Sequence, residues 1–409
     1  MAIRKFFSIA YRNLIRNGRR TLLTALAVAL GLMAVMAMSG LIAGMVDTML
    51  ADNIRLSSGH IQIRKTTYDA SKGSLQAQDL LRDGEMMSAQ VEAVAEVQSA
   101  TPVLSFGGLL STQQESIGLQ IIGIDTEDAF HAPIRNGIAA GEYLQNDDRR
   151  SILIGRFLAS QMEIEVGQRV SLAAANASGT GQEGVFTVVG LIDTGFPSVD
   201  QHRIIMPLAQ AQSFSGVRDR FTSLIIMLHD VDDTAKVAGM FVDPALQVLT
   251  WEELNRLILE SVQNGLVIYY ILYAIVFFAV GILIANTLLM SVFSRAREIG
   301  ILGSLGMNRL QILLLFLCES VLLALFGTVI GLLLGLAVVS YLTYVGISFP
   351  PETAVLVDGF AIGTTLYGGF APGQFVILTL MLLVIVSLVS LYPAWYAARM
   401  EPVDALRAL

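Results

Sequence analysis

Cysteine occurs once in the 409 residues, as Cys318. That excludes an intramolecular disulfide, so any domain outside the cytoplasm must stand on its own apolar core. Histidine is scarce as well. His60, His131, His202 and His229 are scattered, with no HExxH or other paired spacing, so each is expected to be a satisfied surface or core residue and no metal site is indicated. Lysine occurs four times, as Lys5, Lys65, Lys72 and Lys236, preceded by Arg4, Arg64, Ser71 and Ala235. A GxxxxGK[ST] loop needs glycine before its lysine so that backbone N–H groups can wrap the phosphates. This chain has no such loop and no GxSxG segment. No catalytic residue is therefore assigned, and energy from ATP has to come from another chain.

Charge is nearly absent from four long stretches: Leu22–Met45, Leu266–Phe293, Ile312–Thr343 and Phe375–Tyr396. They account for a composition that is 54% hydrophobic and a mean hydropathy of +0.64. Each reaches the ~20 residues that cross a ~30 Å hydrocarbon layer, and the third is long enough to tilt or project. Six cations (Arg4, Lys5, Arg12, Arg16, Arg19, Arg20) precede the first run with no acid among them. Arg295, Arg297 and Arg309 follow the second run, Arg399 and Arg407 the fourth, and the loop after the third has Glu352 and Asp358 but no Lys or Arg. Short Lys/Arg-rich flanks resist translocation, so both termini are expected in the cytoplasm. The long segment after the first span then lies outside. It carries 15 Lys and Arg against 28 Asp and Glu, which argues against nucleic acid or anionic lipid surfaces as its partners. A cleavable signal peptide is not expected. Leu41–Ile42–Ala43–Gly44 resembles the start of a lipobox, but Met45 stands where a lipidated cysteine is required.

The predicted layout is a cytoplasmic amphipathic helix over 1–21, a first span over 22–46, a periplasmic segment with stalks over 47–265, and a second span over 266–293. An inner loop over 294–311, a third span over 312–343, a short outer loop over 344–374, a fourth span over 375–397 and a cytoplasmic tail over 398–409 complete it. The fold class is an integral membrane α-helical protein with four transmembrane helices and a large extracytoplasmic α+β domain. In that domain Gly59–Arg64 alternates and predicts a strand, as do Leu119–Ile124, Ser151–Ile154, Arg169–Leu172, Val185–Leu191, Arg203–Ile205 and Phe221–Leu228. Met86–Val97 and Thr234–Phe241 predict helices. The Gly-rich Asn176–Gly184 predicts a hairpin tip. Trp251–Asn264 predicts a helix running into the second span with no break. An α+β part (51–141 with 218–250) is expected to carry a small β insertion over 142–217.

The inner loop Ser294–Ile312 mixes charge, aliphatic side chains and three glycines. It suits a short helix with an apolar edge of Ile299, Leu302 and Leu305, fit for a groove on a cytoplasmic partner, with Gly306 as its stop. In the third span Glu319 is a costly carboxyl group: either a contact that changes as a dimer opens, or a hydrogen-bonded acid near the inner surface. Gly327, Gly331 and Gly335 form a GxxxGxxxG stripe that permits close helix approach, within one subunit or between two.

This loop resembles the coupling helix of the MacB/FtsX-like ABC permeases, whose pattern is approximately R-x-x-E-I-G-I-L-x-x-[LI]-G. Arg295, Glu298, Ile299, Gly300, Ile301, Leu302, Leu305 and Gly306 match in register, while Gly303 stands where the family usually has a basic residue. Tyr11–Leu14, Ile205–Leu208 and Pro402–Arg407 resemble further family segments, and Ser58–Ile63 is closer to the LolC/LolE lipoprotein-releasing branch. The resemblance implies a non-catalytic permease subunit of a mechanotransmission complex in a bacterial inner membrane. It implies two copies of a separate ABC ATPase that bind ATP and Mg, and a second permease, identical or homologous. A periplasmic chaperone or adaptor and membrane lipid complete the implied partners. Coupling is assigned to those matched residues together with Arg297. The implied activity is extraction of lipoproteins or another amphiphile; the alternatives are MacB-like efflux and FtsX-like regulation of a cell-wall hydrolase.

Overall fold

Two helices open the chain, α1 over Ala2–Arg16 and α2 over Gly18–Asn53. The computed structural model describes residues 2–400 except Asn17, Ser71, Ser74, Gln113, Ser178, 349–355, 358, 359 and 362–364. Ser178 in the predicted hairpin tip, Glu352 and Asp358 of the outer loop and the Pro402–Arg407 segment of the tail thus lie outside the described residues. The chain divides into two units. One comprises Met1–Asp47, Ser261–Ser348 and Thr365–Leu409, the other Thr48–Glu260 and Phe349–Thr364.

In the first unit α3 covers Arg256–Ser294, α4 Ala296–Ser304, α5 Arg309–Tyr344 and α6 Pro372–Arg399. Among the described residues four helices are long and apolar enough to cross a membrane: Gly18–Ser58, α3, α5 and α6. Val28, Leu32 and Met36 of α2 pack with Phe277 and Ile284 of α3, Leu323 of α5 and Leu382 of α6. Lipid tails are as apolar as leucine, so close packing rather than water exclusion holds such helices together. The glycine stripe of α5 serves that packing within the chain. A Cβ at Gly327 would stand 2.6 Å from Val28 Cβ and 2.8 Å from the Ala25 carbonyl oxygen, and one at Gly331 would stand 3.0 Å from Ala29 Cα. Of the loop expected over 344–374, Ile347–Ser348 pairs with Thr365–Leu366 in this unit, and Leu356–Val357 pairs with Phe360–Ala361 in the second unit.

The second unit is built on ten strands: β1 Ile61–Lys65, β2 Val97–Ser111, β3 Ser116–Ile124, β4 Ile138–Gly141, β5 Ser151–Gly155, β6 Arg169–Ala175, β7 Gly181–Ile192, β8 Arg203–Pro207, β9 Ser223–Leu228 and β10 Leu246–Thr250. Their order is β10-β1-β9-β2-β3-β8-β5-β7-β4, and β6 pairs with both β2 and β7. The second half of β2 therefore closes a ring through β3, β8, β5, β7 and β6. Leu104, Phe106, Ile121, Ile154, Leu172 and Val188 fill its interior. Closure removes exposed strand edges. The first half of β2 pairs with β9 in an antiparallel sheet with β1 and β10, and Val91 and Val237 from two short helices (Gly84–Glu92 and Thr234–Ala238) pack on it with Ile61, Ile63 and Ile226.

Two expectations are corrected here. The division at 142 and 217 is not where the strands separate: β2 and β3 of the supposed α+β part supply two of the ring's six strands. The physical reason is the 15-residue β2, long enough to serve both sheets, which sequence reading missed because Pro102, Gly107 and Gly108 interrupt its pattern. Nor is the helix into α3 unbroken. A turn over Trp251–Leu254 starts with a Thr250/Glu253 capping box and stops at Asn255, whose amide is engaged by Asn53 and by the Trp251 carbonyl.

Gly59 explains the Ser58–Ile63 segment. It closes a π turn over Ile54–Ser58 with φ +62°, its N–H donating to the Ile54 carbonyl at 2.9 Å, and a Cβ there would meet the Ile226 carbonyl oxygen at 2.9 Å. The next residue is a satisfied histidine: His60 Nδ1 accepts from the Leu228 N–H at 3.0 Å. His131 departs from that expectation, being buried with neither ring nitrogen partnered among the described residues. Burial pushes its imidazole down to about 3, so the unfolded chain binds the proton first as pH falls below 6.5. Stability contributed by the neutral form is complete above pH 6.5 and is lost progressively as pH falls toward 3. His131→Leu should flatten that acid limb and stabilise the fold by about 1–3 kcal/mol at pH 7, since two unpaired polar atoms leave the interior. A urea titration across pH 4–7 checks both; an unchanged acid limb would show that His131 does not titrate in this window.

Candidate functional site: the short helix between the second and third spans

α3 stops at Ser294, and Arg295 alone separates it from α4, with φ −118° and ψ 17°. α4 ends as the sequence requires. Gly306 has φ +97°, its N–H donates to the Gly303 carbonyl at 3.1 Å, and the Met307 N–H donates to the Leu302 carbonyl at 3.1 Å. This paired closure is the glycine-ended helix stop, for which only glycine is free of strain. α5 restarts two residues later on a capping box. The Asn308 side chain accepts from the Gln311 N–H at 2.9 Å, and the Gln311 side chain accepts from the Asn308 N–H at 3.0 Å. α4 is thus a rigid nine-residue piece with a defined start and end.

Four charged residues tie it to its surroundings. Arg16 of α1 donates to Glu298 Oε1 at 2.7 Å, Arg295 Nε donates to Glu298 Oε2 at 2.8 Å, and Arg295 reaches Glu319 Oε2 of α5 at 3.3 Å. The Arg295 hydrogen bond, reinforced by Arg16, holds the Glu298 carboxyl below its ordinary range. The Arg295 guanidinium also lies 6.0 Å from the centre of the Phe316 ring, one turn before Glu319 on α5. α4 cannot shift without pulling on α5 or breaking this chain.

The expected apolar edge is corrected. Ile299 and Gly300 are buried, Ile299 against Val292, Ile312, Phe316 and Ala394. They anchor α4 on its own bundle and are not available to a partner. Leu302 and Glu298 are half-buried on the flanks, and the outward row is Arg297, Ile301 and Leu305, spaced four apart. Ile301 and Leu305 are 45% and 78% exposed. Of the edge expected from the sequence, Leu305 is exposed and Ile299 is buried, because a nine-residue helix can bury either of two apolar stripes and the bundle beneath decides. The sequence pattern does not point to Arg16 or Phe316 as part of this site. A signal existed for the Arg295 partnership: a carboxyl group inside an apolar block requires a nearby cation.

Residues 21–241 match the family model of the MacB-like periplasmic core domain, and residues 270–402 that of the FtsX-like permease C-terminal part. An uncharacterized ABC transporter permease of Methanocaldococcus jannaschii is 26% identical over 66% of this chain and 65% of that protein. The lipoprotein-releasing system transmembrane protein LolC of Xylella fastidiosa is 24% identical over 66% of each. The probable export ATP-binding/permease protein MacB of Pseudomonas entomophila is 27% identical over 98% of this chain and 59% of that protein. The chain spans just under two thirds of the length of the first two of these relatives.

Proposed function

This chain belongs to the MacB/FtsX-type family of ABC transporter permeases, and from that premise we propose that it couples ATP hydrolysed by a separate subunit to extraction of lipoproteins or a similar amphiphile. ATP and magnesium are bound by two copies of that ATPase, and a second permease, identical or homologous, completes the membrane part. Both termini and α4 face the cytoplasm of a bacterium, and the second unit stands in the periplasm. Closure of the ATPase pair presses on Arg297, Ile301 and Leu305, and the Arg16–Glu298–Arg295–Glu319 chain passes the displacement to α1 and α5. Substrate enters from the outer leaflet of the inner membrane and leaves toward a periplasmic chaperone or adaptor.

The observation that carries this reading is an exposed apolar row on a helix that is otherwise anchored by buried contacts and ion pairs. Such a row at a defined helix is fit for a groove. The LolC likeness and the Ser58–Ile63 segment favour lipoprotein as cargo. Export of a periplasmic molecule is the second reading, favoured by the 98% coverage in the match to MacB.

The test uses the full chain reconstituted with its ATPase. Acylated lipoprotein should stimulate ATP hydrolysis and the same protein without acyl chains should not; equal stimulation by both would replace the lipoprotein reading with the export one. Ile301→Asp with Leu305→Asp should abolish stimulation and weaken association. Each buried aliphatic side chain contributes about 1.5–3 kcal/mol, roughly tenfold to hundredfold in Kd. Because both are exposed, insertion and folding should survive. Unchanged association would remove the coupling role of α4.

A further inference from the structure

The second unit contains a partly open cavity of ≈ 110 Å³ that the coupling reading does not use. A water needs about 10–15 Å³ of such space, so this one holds several waters or one small ion, and nothing drug-sized. Its polar wall comes from strand alternation. Ile61 and Ile63 of β1 enter the apolar core, which turns Gln62 and Arg64 to the opposite face, where both border the cavity. Arg203, the first residue of β8, borders it as well, and Ser57 of the π turn touches both Arg203 and Gln62.

The charge here is unbalanced. Two guanidinium groups line the cavity, and no carboxylate does among the described residues. Among the described residues Arg64 donates only to a neutral partner, its Nε reaching Gln62 Oε1 at 3.0 Å, and it lies 5.8 Å from the centre of the Tyr68 ring. Arg203, half-buried, makes one side-chain hydrogen bond among the described residues, to Ser57 Oγ at 2.8 Å. Burial alone pushes it down to about 10. His131, buried and unpartnered at both ring nitrogens, borders the same space. Neither half-buried guanidinium has an ion pair among the described residues, and buried unsatisfied nitrogens such as those of His131 are costly and rarely kept without a partner. A group with several anionic oxygens satisfies them together, because guanidinium binds phosphate through paired charge-assisted hydrogen bonds.

We propose that this cavity binds a phosphate group, free or as the terminal phosphate of a larger molecule, between Arg203 and Arg64 with Ser57, Gln62 and His131 at its edge. Two unpaired cations match a dianion better than a monoanionic carboxylate, and the volume admits the phosphate group but not a lipid body. This proposal does not depend on the coupling reading, and its readout is binding alone.

The experiment is calorimetry and thermal unfolding of the full chain in a phosphate-free maltoside detergent. Inorganic phosphate, glycerol 3-phosphate and acetate are compared at matched ionic strength. Saturable phosphate binding with a raised midpoint is expected, weakened at least tenfold by Arg203→Met and by Arg64→Gln. If Arg203→Met does not fold, Arg64→Gln carries the same test. Glycerol 3-phosphate binding as well as phosphate assigns a carried group; phosphate alone assigns the free ion. No saturable binding, acetate binding as tightly, or phosphate affinity unchanged in the folded variants would each overturn the site.

Discussion

Replacing Arg295 by methionine is expected to destabilise the folded chain by about 3–5 kcal/mol. The two partners of the inner pair, Arg295 and Glu319, are 10% and 6% exposed. Losing the cation strands a carboxyl group inside the bundle, and that stranding, rather than the intrinsic worth of the pair, sets the cost. Glu298 offers the contrast. It is 45% exposed, so its contacts with Arg16 and Arg295 are screened, and Glu298→Gln should cost no more than about 1 kcal/mol. Thermal unfolding in nanodiscs measures both. The double variant Arg295→Met, Glu319→Gln should recover most of the single variant's loss, because neither charge then remains. A double variant as unstable as Arg295→Met would mean that methionine fails through packing and that the Glu319 partnership is incidental.

Gly327→Leu should separate α5 from α2 at a cost upwards of about 3 kcal/mol. The atoms that a side chain meets there include the Ala25 carbonyl oxygen at 2.8 Å, and backbone cannot swing aside. Gly335 sits in the same stripe but faces the Met36 Sδ at 2.6 Å, the end of a flexible side chain. Gly335→Ala should therefore be close to neutral, helped by the better helix propensity of alanine. Gly331→Ala, 3.0 Å from Ala29 Cα and from its carbonyl oxygen, should fall between. Midpoints in the reverse order, or three equal ones, would show that the stripe does not pack on α2 within the chain.

Much of this was legible in one dimension. Four apolar runs with cationic flanks leave few alternatives to spanning helices, because hydrocarbon admits no unpaired backbone. The α4 stop was readable at Gly306 because left-handed backbone selects glycine, and β1 from its strict alternation. Other features were not readable. β2 hides behind Pro102, Gly107 and Gly108. Whether Ile299 or Ile301 faces outward depends on the surface beneath α4.

By itself the sequence determined the spans, the strands with clean alternation, the lack of a GxxxxGK[ST] pattern and the position of the short helix, since each depends on neighbours in the chain. Only the tertiary structure decided which stripe of α4 is exposed, that Arg295 answers Glu319, that β2 joins a sheet to a closed ring, and that Arg64 and Arg203 share one cavity. Arg295 and Glu319 are 24 positions apart and Arg64 and Arg203 are 139 apart, and burial and charge act across space, where a linear pattern carries no distance.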